Sequence, residues 1–225
     1  MIEVIVVGEG QTEEIFVRDV LAPVLAGGDI FLEPRLIRTS SSSRGGGLSR
    51  DRVVRYLRNT LRERGDTYVT TLFDLYGLAA GFPGVAESAG TRDPIARARS
   101  VEESLREVVT QEAGCRQDRF VPYIQPHEFE SLLFSDIGRL VEVRPEWMGS
   151  LDALRAARQA AMSPEHVNDG AQTHPSARLK VLKPTYVKTL HGPAAAQRIG
   201  LDRICAECRH FAAWVNQLES LPPLR

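Results

Sequence analysis

Hydrophobic and polar positions along this chain switch repeatedly between two periods. Val4-Ile5-Val6-Val7 is a continuous run of β-branched residues, the pattern of a strand covered on both faces, as in a parallel sheet. Beyond Gly8 the period lengthens: Val17, Val20, Leu21 and Val24 recur at i, i+3, i+4, i+7. They predict a helix that opens with Glu13 and Glu14 in its first turn, where the helix dipole favours negative charge, and breaks near Pro23. Residues 30–38 read as a second strand, and Pro34 argues for an edge position or a bulge. Residues 51–64 predict a helix with Val53, Val54, Leu57 and Leu61 as its apolar stripe. Residues 68–73, rich in aromatic and β-branched side chains, predict a third strand.

A third helix starts cleanly, with Asp93 as N-cap and Pro94 in its first position, carries Ile95, Val101, Leu105 and Val108 inward, and ends by Gly114. Residues 120–125 predict a fourth strand. Alternating strand and helix predict an α/β fold on a parallel four-stranded sheet with right-handed crossovers. Beyond Asp136 the pattern becomes helical: residues 151–161, a polar connection over 163–175, then helical segments to Leu221. We read residues 1–136 as the α/β core and 137–225 as a helical C-terminal extension packed on it, with no Pro/Ser linker between them.

Strand ends are where open α/β sheets place their chemistry. Glu9 follows the first strand, Asp74 the third, and Glu128 and Glu130 the fourth. A phosphate-cradling P-loop would need Gly-Lys-Ser/Thr entering the first helix, whereas this helix enters with Thr12-Glu13-Glu14. A dinucleotide fingerprint would need glycine at position 13, where Glu13 stands. Several carboxylates gathered on one sheet edge repel one another unless a divalent cation neutralises them, and Mg²⁺ or Mn²⁺ is the usual solution. Asp74 is the leading metal ligand, and Glu9 a ligand or the general acid/base. A spacing of two puts Glu128 and Glu130 on one face in a strand and on opposed faces in a helix, so both stay candidates. His127 is read as a contact to phosphate or a stabiliser of a leaving group, against a histidine bonded to nearby backbone.

The 28 basic and 29 acidic residues nearly cancel, so any nucleic-acid contact must come from a local patch. Candidates are Arg44 and Arg50 around the Ser/Gly-rich loop, and Arg55, Arg58 and Arg62 on one helix face. In the C-terminal part they are Arg178, Tyr186, Lys188 and His191. No apolar run approaches the roughly 20 residues that span a bilayer, and a cytoplasmic protein with no membrane contact is expected. The three cysteines are read as reduced thiols, with Cys205 and Cys208 on a buried helix face rather than as half of a zinc site.

Four blocks in order, Val7 to Val17, Phe73 to Gly77, His127 to Phe134 and Tyr186 to Gly192, resemble a bacterial family catalogued as domain of unknown function four-two-seven-six. That family is similar to the Toprim superfamily, whose members include nucleases of the overcoming-lysogenization-defect type. The resemblance covers nearly the whole chain. It implies a Toprim-like α/β fold that uses Mg²⁺ to make or break phosphodiester bonds, with Glu9 as general acid/base and Asp74 as the first aspartate of an Asp-x-Asp pair. It also implies an ABC- or SMC-like ATPase partner in a defence-type system. Tyr76 stands where the second aspartate would be, leaving Glu128 or Glu130 to replace it. The expected activity is a Mg²⁺-dependent nuclease with Glu9, His127 and Lys188 as catalytic residues; the alternative is a non-catalytic Toprim-shaped regulatory subunit of an ATPase complex.

Overall fold

A computed structural model describes residues 1–37, 48–167, 173–182 and 186–224. Its centre is a parallel sheet in the order β2-β1-β3-β4, formed by β1 (Ile2–Gly8), β2 (Ile30–Leu36), β3 (Tyr68–Asp74) and β4 (Phe120–Val121). The predicted fourth strand is interrupted at Pro122, so β5 (Ile124–Gln125) pairs separately with the end of β3 and makes the sheet five-stranded. β2 is an edge strand, which lets Pro34 lie within it without breaking an interior ladder.

Successive side chains of a strand point to opposite faces, and the two faces are covered by different helices. On one face Ile5, Val7, Val69 and Phe73 join Val53 and Leu57 of α3 (Arg50–Glu63) and Val101 and Leu105 of α4 (Pro94–Ala113). Asp93 caps α4 by accepting from the Ile95 N–H (2.9 Å), and Gly114, at φ 66°, closes it in the left-handed conformation that glycine adopts without strain. On this helix Val109, rather than Val108, is the fully buried residue.

The other face carries the larger cluster, in which Val4, Val6, Tyr68 and Leu72 pack with Phe16, Leu21, Trp147, Ile204, Phe211 and Trp214. Its first helical cover is α1 (Gln11–Phe16), continued through a π turn (Val17–Leu21) into α2 (Ala22–Leu25), with Pro23 at the start of α2. The rest comes from α5 (Ile137–Val141), α6 (Leu151–Gln159), α7 (Pro175–Leu179), α8 (Lys188–Ile199), α9 (Leu201–Glu207) and α10 (Arg209–Glu219). The C-terminal helices therefore share one core with the sheet. Trp214 donates its indole N–H to Thr70 Oγ1 on β3 (2.8 Å) and stacks on Tyr123, and Tyr68 donates its hydroxyl to the Pro222 carbonyl. No helix among the described residues is long and apolar enough to cross a membrane.

Candidate functional site

The site is built from the turn after β1. Gly8 ends the strand where a β-carbon would stand 3.0 Å from Glu13 Cβ, so glycine lets α1 fold back closely over it. At the helix start, Gly10 donates its N–H to Glu13 Oε2 (3.0 Å), which turns Glu13 inward and leaves it 4 % exposed. The pairing of Gly8 with Leu72 brings the end of β3 beside Glu9, whose Oε1 accepts the Asp74 N–H (2.7 Å). The carboxylate also lies against Gly77, where a β-carbon would stand 2.6 Å from Oε2.

Asp74 is held from two directions. Its Oδ1 accepts the Phe129 N–H (2.8 Å), and its Oδ2 takes a hydrogen bond from Lys188 Nζ (3.3 Å). β5 sets up the first contact by pairing Gln125 with Asp74, so the 3-10 segment Phe129–Ser135 begins beside it. The second contact comes from the start of α8, which packs across α1 and delivers Lys188 to the acid edge. The same ammonium lies 3.2 Å from Glu130 Oε2. Glu130 is 0 % exposed, so its carboxylate meets this ammonium out of reach of solvent.

Four carboxylates, Glu9, Glu13, Asp74 and Glu130, thus converge on one lysine, with a formal excess of negative charge. Burial, then the Asp74 charge, push Glu9 well above the ordinary carboxylate range, and the same two causes raise Glu13 to about 7. Burial raises Glu130 to about 7 against the opposing pull of Lys188, and raises Asp74 as well. For Lys188, burial acts downward but is outweighed by Asp74, Glu130 and Glu13, which keep the ammonium charged.

Other predicted residues are placed differently. Glu128 is spoken for: its Oε2 accepts the Ser176 N–H (2.9 Å) and lies 3.2 Å from His174 Nδ1, while its Oε1 accepts from Ser176 Oγ (3.1 Å). Glu128 thus ties α7 to the sheet edge, which leaves Glu130 as the acid of that block facing Lys188. His127 has a positive φ of 64°; its carbonyl accepts the Tyr76 N–H, and burial pulls its imidazole down to about 4. His191 is 4 % exposed against Trp147, and its Nδ1 accepts the Val187 N–H (2.8 Å) at the start of α8. Tyr186 packs against both Trp147 and His191 and turns its hydroxyl inward, where burial raises it well above the ordinary tyrosine range. Arg178 donates to the Thr173 carbonyl (2.6 Å).

On α3, Arg62 donates to the Ala113 and Glu112 carbonyls at the end of α4, and Arg50 and Arg58 lie beside the Glu112 carboxylate. Arg55 stays exposed. Arg44 falls outside the described residues. Glu13, read from sequence only as a helix-dipole residue, belongs to the cluster. The signal for it was its place as third residue of a helix whose N-cap is glycine, where a glutamate reaches back to the cap N–H.

Carboxylate oxygens are hard donors of the type that Mg²⁺ and Mn²⁺ prefer. The buried carboxylate of Glu130, in a cluster where carboxylates outnumber the one ammonium, fits such a cation. Among the described residues no three His, Cys, Asp or Glu side chains are already gathered in a coordination geometry, and Lys188 stands between Asp74 and Glu130. A cation would therefore have to share or take over the lysine's place. No curated protein and no solved structure matches the chain. The family model described as Domain of unknown function (DUF4276) matches residues 8–219, a span that holds the acid turn, Asp74, the 127–134 block and Lys188, and the chain belongs to that family.

Proposed function

We propose that this chain is a cytoplasmic, Toprim-like nuclease that hydrolyses phosphodiester bonds of nucleic acid with Mg²⁺ or Mn²⁺, acting beside an ABC- or SMC-like ATPase in a defence-type system. The observation that carries the reading is the convergence of Glu9, Glu13, Asp74 and Glu130 on Lys188 at the carboxyl edge of a parallel sheet. Structural ion pairs are normally balanced; this one leaves buried carboxylates in excess, an arrangement found where charge or protons are exchanged.

In this reading Asp74, Glu9 and Glu130 would hold the cation, which would supply Lewis-acid polarisation of a phosphoryl oxygen and a bound water of lowered pKa. Glu9 keeps one oxygen on the Asp74 N–H and has its other, Oε2, to hold the cation or to transfer a proton. Lys188, released from one of its two carboxylates, offers its ammonium to the substrate phosphate.

The test is cleavage of labelled plasmid, single-stranded DNA and RNA with Mg²⁺, Mn²⁺ or EDTA. Asp74→Ala and Glu9→Ala are each expected to reduce the rate on the order of 10²–10³-fold. One observation favours the second reading, a regulatory subunit of an ATPase: Lys188 already neutralises Asp74 and Glu130 in the metal's stead. Absence of cutting on every substrate, with the ATPase and ATP added, together with a melting temperature indifferent to Mn²⁺, would select that reading.

A further inference from the structure

Tyr76 lies two residues beyond Asp74 in the short 3-10 turn Leu75–Gly77, and 49 % of its surface is exposed. Its backbone is anchored, because the Tyr76 N–H donates to the His127 carbonyl (3.2 Å). The ring lies 5.6 Å from the His127 imidazole, tilted, and 6.2 Å from the His174 imidazole, edge-on. The His174 imidazole is fixed in turn, its Nδ1 3.2 Å from Glu128 Oε2 and 3.1 Å from Ser176 Oγ, and His127 sits on a left-handed backbone. The next residue, Gly77, backs directly onto the Glu9 carboxylate. One three-residue turn thus carries an exposed aromatic ring and a wall of the acid site.

A buried or loosely held tyrosine here would need no explanation. An exposed ring, fixed at its backbone and flanked by two imidazoles beside a candidate phosphodiester site, is a surface built for another flat ring. Unstacked nucleobases are such rings, and each has a π-face whatever its identity. The charge distribution points the same way. Duplex binding rests largely on phosphate contacts by free cations, whereas the chain has a net charge of −1, and Arg50, Arg58 and Arg62 are engaged with the end of α4. Stacking adds an attraction at this edge that does not depend on a surplus of cations.

We propose that Tyr76, braced by His127 and His174, is a stacking platform for a nucleobase of single-stranded nucleic acid whose phosphate lies at the acid edge; this rests on the nuclease reading above. The residue standing in place of a second aspartate then selects the substrate instead of binding metal.

The probe is a short single-stranded oligonucleotide, as DNA and as RNA, carrying 2-aminopurine at each position in turn and titrated in EDTA so that nothing is cut. Stacking on Tyr76 quenches the probe at one position. Tyr76→Ala is expected to remove that quench and weaken single-strand binding roughly 5- to 150-fold, while Tyr76→Phe keeps both and duplex affinity is unchanged throughout. Equal affinity and equal quench in parent and Tyr76→Ala would overturn the platform. If the parent still cuts single strands with Mg²⁺ and Tyr76→Ala cuts them with the same KM, the platform alone fails and the nuclease stands. If the parent binds no strand and cuts none even with the ATPase and ATP added, both fail.

Discussion

Glu130 is under electrostatic strain: fully buried, and beside an ammonium it shares with Asp74. Burial raises both it and Glu13 from 4.5 to about 7. The sign of the consequence follows from linkage. Between about pH 4.5 and 7 the folded state binds more protons than the unfolded chain. These groups' contribution is therefore most favourable below about 4.5 and is lost as pH rises to about 7. His127, pulled down to about 4, acts in the opposite direction between there and 6.5, so the total slope mixes both. A comparison isolates the acid: in EDTA, the melting temperature of Glu130→Gln relative to the parent is expected to climb from pH 4.5 to 7 and level off above. A constant difference across that range would mean Glu130 is not held near neutrality.

At the scale of elements, the short 3-10 turn Pro164–His166 matters more than its length suggests. Glu165, 0 % exposed, accepts the His210 N–H (3.1 Å) and the Phe211 N–H (2.9 Å), satisfying two of the donors that the start of α10 leaves open. The His210 imidazole then reaches Glu102 on α4 (2.8 Å), and Glu102 Oε1 also accepts the Ile124 N–H. One carboxylate from a polar connection thus fixes the helix that lays Trp214 on the sheet. Glu165→Ala should cost about 1–3 kcal/mol in chemical denaturation, because buried donors lose their partner. A loss below a few tenths would show that water or another group replaces it. From the sequence this connection looked merely polar. Its role depends on α10, more than forty residues later, and no local pattern announces a contact of that kind.

For the whole molecule, the sharing of one apolar cluster between the sheet and the helices after Asp136 decides how the chain unfolds. Both tryptophans, Trp147 and Trp214, lie in the C-terminal half and are buried in that cluster. Tryptophan fluorescence and far-UV circular dichroism should therefore report a single coincident transition. Separate midpoints would show that the helices come away from the sheet first. The sequence by itself determined the alternation of strands and helices and the placing of Glu9 and Asp74 at strand ends, and it narrowed β2 to an edge strand or a bulged one through Pro34, because these depend on local period, turn chemistry and the rule that parallel strands end on one edge. Only the tertiary structure decided which acid of the 128–130 block faces the site, that Glu13 joins it, and that Tyr186 and His191 turn inward against Trp147. Those outcomes depend on which distant backbone donors and apolar surfaces meet each side chain once helices α7 and α8 have docked, and a partner supplied from elsewhere in the chain leaves no period in the sequence around the residue it holds.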